Sequence, residues 1–139
     1  MIDGNGILHS NQCGLACHLG VLLGTPTLGV GKTLFYIDGL DKAKVKAICS
    51  EEIKKEHDFA YLKGESGKIW GAGLRNGKDA INPVYVSTGT KISLDTAIKS
   101  VILSSFYRVP EPIRIADKKS REIIESVDLK VDREQFKKY

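Results

Sequence analysis

The chain has little of what builds disulfide-stapled, membrane-spanning or multidomain proteins. It contains three cysteines, an odd number that argues against a disulfide framework. No apolar run approaches the ~18 residues of a membrane span. The N-terminus lacks the basic flank, apolar stretch and cleavage site of a secretory signal. Internal repeats and Pro/Gly-rich linkers are also missing. We therefore expect a soluble protein without a membrane partner, located in the cytoplasm, with the nucleus as the alternative in a eukaryote.

What is present suits one packed domain. The 139 residues are 42% hydrophobic and 27% charged, which is ordinary for a globular protein with a core. The formal net charge of +4 permits contacts with phosphates without proving them. The final "DREQFKKY" carries three basic and two acidic residues. We expect a folded domain over residues 1–130 and a basic tail over residues 131–139.

Hydrophobic periodicity predicts helices alternating with strands. "GLACHLGVLL" predicts a short, heavily buried helix with Leu15, Leu19, Leu22 and Leu23 on its apolar face and His18 as a hydrogen-bonded core residue. "TPTLGV" predicts a core strand, and "DKAKVKAICSEEIKKE" a surface helix. "FAYLK" and "KIWGAGL" flank the turn-forming "GESG", which predicts an antiparallel hairpin, and "NPVYVS" predicts a further strand.

The last third of the chain predicts two helices. Ser93 is a suitable N-cap, and the stripe behind it faces a core through residues at helical spacing: Leu94, Ala97, Ile98, Val101 and Ile102. A second helix begins near Pro112, and we expect it to carry Ile115, Ile123 and Ile124 inward. Strands alternating with helices, together with a hairpin, predict an α/β or mixed-sheet layer architecture.

"GVGKT" at residues 29–33 is similar to a phosphate-binding loop but lacks two of its requirements. The pattern needs a glycine where Pro26 stands, and a helix directly afterwards, whereas "LFYIDGL" is not helical in character. Lys32 nevertheless follows a predicted core strand, where its ammonium could reach a phosphate. Cys13, Cys17 and His18 do not complete the four ligands of a closed zinc site, so we expect structural thiols.

Three further residues have both an ordinary and a chemical interpretation. Asp3 starts an Asp-Gly turn dipeptide, yet it also follows a fragment of a strand. Asp117 lies early in the last predicted helix among cations, where the helix dipole stabilises a surface acid. His9 lies six residues beyond Asp3, far enough to point back toward the same cleft. Metal-dependent phosphodiester hydrolysis requires several convergent carboxylates, which one aspartate cannot provide.

Four motifs, in order, resemble the endonuclease V family. They are "IDGNGILH", "GLACHLGVLLGTPTLGVGK", "PVYVSTGTKISLDTA" and "YRVPEPIRIADKKSRE". The resemblance implies an α/β, RNase H-like fold, a mixed sheet flanked by helices and truncated at its N-terminus. It also implies Mg²⁺-dependent hydrolysis, with Mn²⁺ as a substitute. The substrate would be inosine-containing DNA or RNA, cut at the second phosphodiester bond 3′ of inosine.

The resemblance also assigns roles to individual residues. Asp3 matches a metal-binding catalytic aspartate, Lys32 a lysine near the scissile phosphate, and Asp117 a further acidic residue for metal and catalysis. The matched substrate-binding positions are a histidine at the cleft and three small residues whose backbone approaches the nucleic acid: His9, Gly4, Gly6 and Gly14.

The chain departs from the family pattern in two ways. Thr90 stands where the family usually has a histidine, and Lys91 where an arginine usually follows. The family's N-terminal part, with a first-strand aspartate, a glutamate and an aromatic wedge, has no counterpart in these residues. Both departures favour the alternative, a catalytically inactive RNase H-like protein for nucleic-acid binding or assembly. A truncated sheet also predicts self-association through an unpaired edge or uncovered apolar face.

Overall fold

The computed structural model describes residues 1–78, 80 and 82–126, so the expected basic tail at 131–139 lies outside the described residues. Five strands and four helices follow one another along these residues. They are β1 (Ile2–Asp3), α1 (Leu15–Leu23), β2 (Thr27–Gly31), α2 (Lys42–Glu52), β3 (Phe59–Lys63), β4 (Ile69–Leu74), β5 (Val84–Thr90), α3 (Leu94–Leu103) and α4 (Glu111–Ser126). The predicted hairpin and the strand after it are confirmed.

The strands form one mixed sheet in the order β1-β2-β5-β4-β3. β1 runs parallel to β2, with Asp3 opposite Val30. β5 runs antiparallel to β2, with Tyr85 opposite Gly31. β1 is only two residues long, as expected of a strand fragment before Asp3, and it lies at an edge of the sheet.

A core cluster covers each face of the sheet. On one face, α3 and the start of α4 pack on alternate residues of β2, β4 and β5, including Val30, Leu74 and Val86. On the other face, α2 and the segment between β2 and α2 pack on Leu62 and Trp70. Tyr85 belongs to this second face because successive side chains of a strand point to opposite sides.

The segment between β2 and α2 is anchored to the hairpin by Asp38. Its Oδ2 accepts hydrogen bonds from the indole nitrogen of Trp70 at 2.7 Å and from the hydroxyl of Ser66 at 2.6 Å. These bonds hold the pKa of the Asp38 carboxyl below its ordinary value, because they favour the ionised form. The chain that follows Lys32 is thereby tied to the sheet.

Helix α3 matches its prediction closely. Ser93 accepts a hydrogen bond from the backbone nitrogen of Thr96 and caps the helix. Ala97, Ile98 and Val101 are buried against the sheet, and the flanking residues of the stripe are partly buried.

The prediction that α1 is heavily buried is wrong. Its sheet-facing side consists of Ala16, Cys17 and Gly20. Leu15, Leu22 and Leu23 are exposed, as is His18, which was expected to be a core residue. The apolar stripe exists at the expected spacing but points away from the sheet, because the small residues allow α1 to lie close to β2 and β5.

The inward orientation expected for α4 is also wrong. Ile115, Ile123 and Ile124 are exposed, and Ile113 is the buried residue of this helix. Only the first turn of α4 reaches the core, and its later turns are exposed. Within the part of the chain that the structure describes, no helix is long and apolar enough to cross a membrane.

Candidate functional site

The structure brings Asp3 and Lys32 together. Asp3 ends β1, and Lys32 follows the last residue of β2, so parallel pairing places both at the same end of the sheet. The Lys32 ammonium donates a hydrogen bond to Asp3 Oδ2 at 2.8 Å. Both side chains are about half exposed, at 42% and 46%. Exposed ion pairs contribute at most about 1 kcal/mol, so an incoming anion or cation can replace either partner.

The chain after Asp3 crosses directly over β2, and glycines make this possible. Gly4 has a φ of +153° and donates its backbone N–H to the carbonyl of Val30. A Cβ on Gly29 would meet the carbonyl of Gly4, and a Cβ on Gly31 would meet the side-chain oxygen of Asn5. The segment that follows Asp3 is therefore in direct contact with β2 beside the Asp3–Lys32 pair.

Gly6 and Gly14 are buried and contact the protein's own backbone. A Cβ on Gly6 would meet the carbonyl of Thr88, and one on Gly14 would meet the carbonyl of Asn5. Gly6 also donates its backbone N–H to the hydroxyl of Ser87 at 2.8 Å. Close packing within the chain is thus one reason for glycine at both positions, beside the substrate contact that the resemblance implies.

His9 lies against the segment that follows Lys32. Its ring contacts that of Phe35, with centroids 4.8 Å apart and planes tilted by 47°. Its Nδ1 accepts a hydrogen bond from the backbone nitrogen of Asn11. The loop after β1 and the loop after β2 therefore meet through these two rings, and His9 borders the same end of the sheet as Lys32.

Asp117 is held in a different way. It lies one turn after Ile113, which belongs to the same core cluster as Val30. Its carboxylate forms an ion pair with Arg121 at 2.8 Å, one turn further along α4. The structure thus ties Asp117 to its own helix, whereas Asp3 is tied to Lys32.

The two residues that depart from the family pattern lie elsewhere. Thr90 pairs with Thr27 at the start of β2, and Lys32 follows the other end, so a strand length on the order of 13 Å separates the two sites. The Thr90 hydroxyl donates to the carbonyl of Thr25, and the Lys91 ammonium to the carbonyl of Gly24. Both side chains support the end of α1, away from the Asp3–Lys32 pair.

The described residues fit a divalent cation only in part. Asp3 offers an exposed carboxylate, the kind of oxygen ligand that Mg²⁺ prefers. Among residues 1–78, 80 and 82–126, however, no group of three or more histidines, cysteines or acids is placed to hold a metal ion. These residues by themselves do not supply a complete ligand set for a two-metal site.

A model of the family described as Endonuclease V matches residues 1–118. The chain belongs to the endonuclease V family. Mouse endonuclease V is 42% identical over 127 residues, covering 89% of this chain and 37% of the mouse protein. Human endonuclease V is 39% identical, covering 89% of this chain and 44% of the human protein. The chain thus spans less than half the length of these endonuclease V relatives.

Solved endonuclease V structures confirm the predicted α/β, RNase H-like fold. The catalytic domain of human endonuclease V superposes with a TM-score of 0.84 at 39% identity, covering 89% of this chain and 50% of the human one. Endonuclease V of Ciona intestinalis gives 0.82 at 34% identity, covering 91% of this chain and 54% of the other. The Ciona protein was crystallised with a 24-mer DNA that contains an inosine followed by a ribo-adenosine.

Two further residues near the Asp3–Lys32 pair were not predicted from the sequence. Asn5 is buried beside Gly31, and its side-chain oxygen has no hydrogen-bond partner. Phe35 carries the ring that contacts His9. The first could have been suspected from its place between the glycines of "DGNG". The second has no local signal, because only tertiary structure brings residue 35 to residue 9.

Proposed function

We propose that this chain is part of an endonuclease V-type hydrolase. It would cut the second phosphodiester bond 3′ of inosine in DNA or RNA, and so serve in nucleic-acid repair or in the processing of inosine-containing RNA. The observation that carries this proposal is the Asp3–Lys32 pair at the ends of two parallel strands, within the region matched by the family model. The inosine-containing DNA bound to the Ciona relative supports the choice of substrate.

In this proposal Lys32 acts on the phosphate. Its ammonium exchanges the Asp3 carboxylate for a phosphate oxygen, and it stabilises the negative charge that develops there during hydrolysis. The present pairing at 2.8 Å shows that the side chain reaches the end of β1. The pair's exposure keeps the cost of this exchange low.

Mg²⁺, or Mn²⁺ in its place, is the proposed cofactor, with Asp3 as the first ligand and Asp117 as a second. A divalent ion would supply charge neutralisation at the phosphate. Since the described residues offer an incomplete ligand set, the remaining ligands would come from outside them. We therefore expect complete metal binding only when these further ligands are supplied, and not from these 139 residues alone.

The substrate-binding role proposed for Gly4, Gly6, Gly14 and His9 rests on their position. Gly4 and Gly6 lie in the loop that follows Asp3, and Gly14 lies where that loop meets α1. His9 borders the same end of the sheet. Backbone without side chains permits close approach of a base lifted out of its stack.

Cleavage of end-labelled oligonucleotides containing one inosine, in DNA and in RNA, tests the function. The 139-residue chain should be assayed with Mg²⁺, alone and joined to the portion of human endonuclease V that lies outside the aligned region. We expect cutting by the joined form. Asp3→Asn should reduce its rate by about 100-fold or more, because a catalytic charge is lost while the shape is kept.

Glu51→Gln, which neutralises an exposed carboxylate on α2, is the matched control and should cut at the original rate. Equal cutting by the Asp3→Asn form would refute the site assignment. A joined form that leaves inosine substrates intact, while binding them, would instead support the alternative.

That alternative is a catalytically inactive RNase H-like protein for nucleic-acid binding or assembly. Two observations favour it: the incomplete ligand set and the uncovered apolar face of α1. We propose that this face, with the edge strand β1, mediates self-association of the isolated chain. Substitutions on α1, described in the Discussion, test this.

A further inference from the structure

Two adjoining clefts open at one end of the sheet. The first, about 660 Å³, lies between α2 and the sheet and is lined by Lys42, Lys46, Cys49 and Arg75, among others. The second, about 610 Å³, lies beside the turn before α4. Asn82 lines both, so the clefts are neighbours.

These clefts open at the same end of the sheet as the Asp3–Lys32 pair. Tyr85, which lines the first cleft, pairs across the sheet with Gly31, the residue before Lys32. Arg75 directly follows the end of β4. A polynucleotide strand held at Lys32 therefore needs to cross only β5 to enter the first cleft.

The lining is strongly cationic. Lys42, Lys46 and Arg75 line the first cleft, and none of its described lining residues carries a carboxylate. Lys78 and Arg108 line the second cleft, whose described lining also includes the acid Glu56. A concave surface with one sign of charge concentrates the field and attracts ligands of the opposite sign.

Both arginines are held in place by backbone carbonyls. Arg75 donates to the carbonyls of Lys54 and Lys78, at 3.3 Å each. Arg108 donates to the carbonyls of Asn82 at 2.9 Å and Pro83 at 3.1 Å. The carbonyls fix both guanidinium groups, while the Asp58 carboxylate offsets part of the charge of Arg75. The positive charge of both arginines is thus held in a fixed place.

The second cleft also offers exposed aromatic rings. Phe106 and Tyr107 line it and are 78% and 57% exposed. The Arg114 guanidinium covers one face of Tyr107, 4.4 Å from the ring centroid. Phe106 has no aromatic or cationic partner of this kind among the described residues, so its ring is free to stack on a base.

We propose that the two clefts bind single-stranded nucleic acid, with phosphates against Lys42, Lys46 and Arg75 and a base stacked on Phe106. Cationic grooves that follow the backbone, combined with aromatic platforms, characterise single-strand binding without sequence preference. The proposal rests on the nucleic-acid function above and extends it to a path that leads away from the Asp3–Lys32 pair.

Fluorescence anisotropy of the 139-residue chain with a labelled single-stranded 16-mer, lacking inosine and in EDTA, tests the phosphate contacts. Lys42→Ala with Lys46→Ala should weaken binding about tenfold near 0.15 M salt, because two counterion-releasing contacts are lost. The slope of log K against log salt should fall by about 1.4. The control, Lys63→Ala with Lys99→Ala, removes the same charge from exposed positions outside the clefts. It should change the affinity and the salt slope less than the cleft variant does.

The stacking contact has a different signature. Phe106→Ala should weaken binding by about 5- to 100-fold while leaving the salt slope unchanged, since base stacking releases no counterions. Leu103→Ala is the control, because Leu103 is an 85% exposed apolar residue on the neighbouring helix that lines neither cleft.

Equal losses in the cleft and control lysine variants would show diffuse charge attraction and overturn the proposal. So would a normal affinity of the Phe106→Ala form, or equal binding of a 16-base-pair duplex. None of these results bears on cleavage, which the Asp3→Asn experiment decides separately. Conversely, the expected salt slopes, together with a joined form that never cuts inosine substrates, would support the clefts and refute the hydrolase.

Discussion

Helices α1 and α3 have similar apolar stripes but opposite surroundings. In α3 the stripe of Ala97, Ile98 and Val101 lies against the sheet. In α1 the large residues of the stripe point outward, with Leu22 80% exposed, while small residues contact β2 and β5. An apolar stripe at helical spacing thus predicts a helix with one apolar face. It does not predict whether that face packs against the sheet of this chain.

The sheet itself accounts for the difference. Below α3 it presents branched side chains, among them Val84 and Val86, into which a large stripe can pack. Below α1 it presents Thr27, Gly89 and Thr90 beside Gly20, and the threonine hydroxyls lie where a Cβ of Gly20 would stand. Small residues on both sides allow the close approach of α1 and leave its leucines uncovered.

The largest difference in the free energy of unfolding should come from truncating one large side chain in each stripe. Ile98→Ala should lower the free energy of unfolding by about 2–5 kcal/mol, because Ile98 is 1% exposed and its loss leaves a cavity. Leu22→Ala should change it by less than about 0.5 kcal/mol, as is usual for surface substitutions. Urea denaturation followed by the fluorescence of the single tryptophan, Trp70, measures both.

Leu22 on α1 also allows a test of self-association. If the exposed stripe mediates self-association, Leu22→Asp should shift sedimentation velocity profiles toward monomer without loss of stability, since charge opposes apolar contact. A clear loss of stability in Leu22→Ala would contradict the exposed orientation of α1.

An intermediate effect is expected from enlarging the small side of α1. Gly20→Val should lower the free energy of unfolding by about 1–3 kcal/mol, because the new side chain overlaps Thr27 and Thr90. Leu22→Val places the same β-branched residue on the exposed side and serves as the control for helix propensity. The midpoint of urea denaturation reports both, and equal midpoints would show that α1 does not lie close to the sheet.

The smallest effect concerns how the two helices begin. Ser93 caps α3 with its hydroxyl, whereas α1 begins at Gly14 without a side-chain cap. Ser93→Ala should cost about 1 kcal/mol, and Ser93→Asp, which keeps an acceptor, should restore most of it. The thermal unfolding midpoints of the three proteins test this, and an unchanged midpoint in Ser93→Ala would mean that the cap contributes nothing.

Much of the candidate site was accessible from sequence, and its limits have physical reasons. Asp3 and Lys32 were both predicted, mainly because their motifs resemble those of the endonuclease V family. That their side chains meet at 2.8 Å depends on the parallel pairing of β1 with β2. The distance between Thr90 and Lys32 was equally hidden, because it follows from the antiparallel pairing of β5 with β2.

The amino-acid sequence by itself determined the elements of this protein: the strands, the hairpin around "GESG", the α3 stripe and its cap, and the motifs of its family. These are local, since they depend on periodicity, turn chemistry and residue order. Tertiary structure alone decided that α1 and most of α4 turn their apolar residues outward, and that basic residues gather around two neighbouring clefts. Burial and charge clustering depend on which distant residues meet, and short-range patterns carry no information about that.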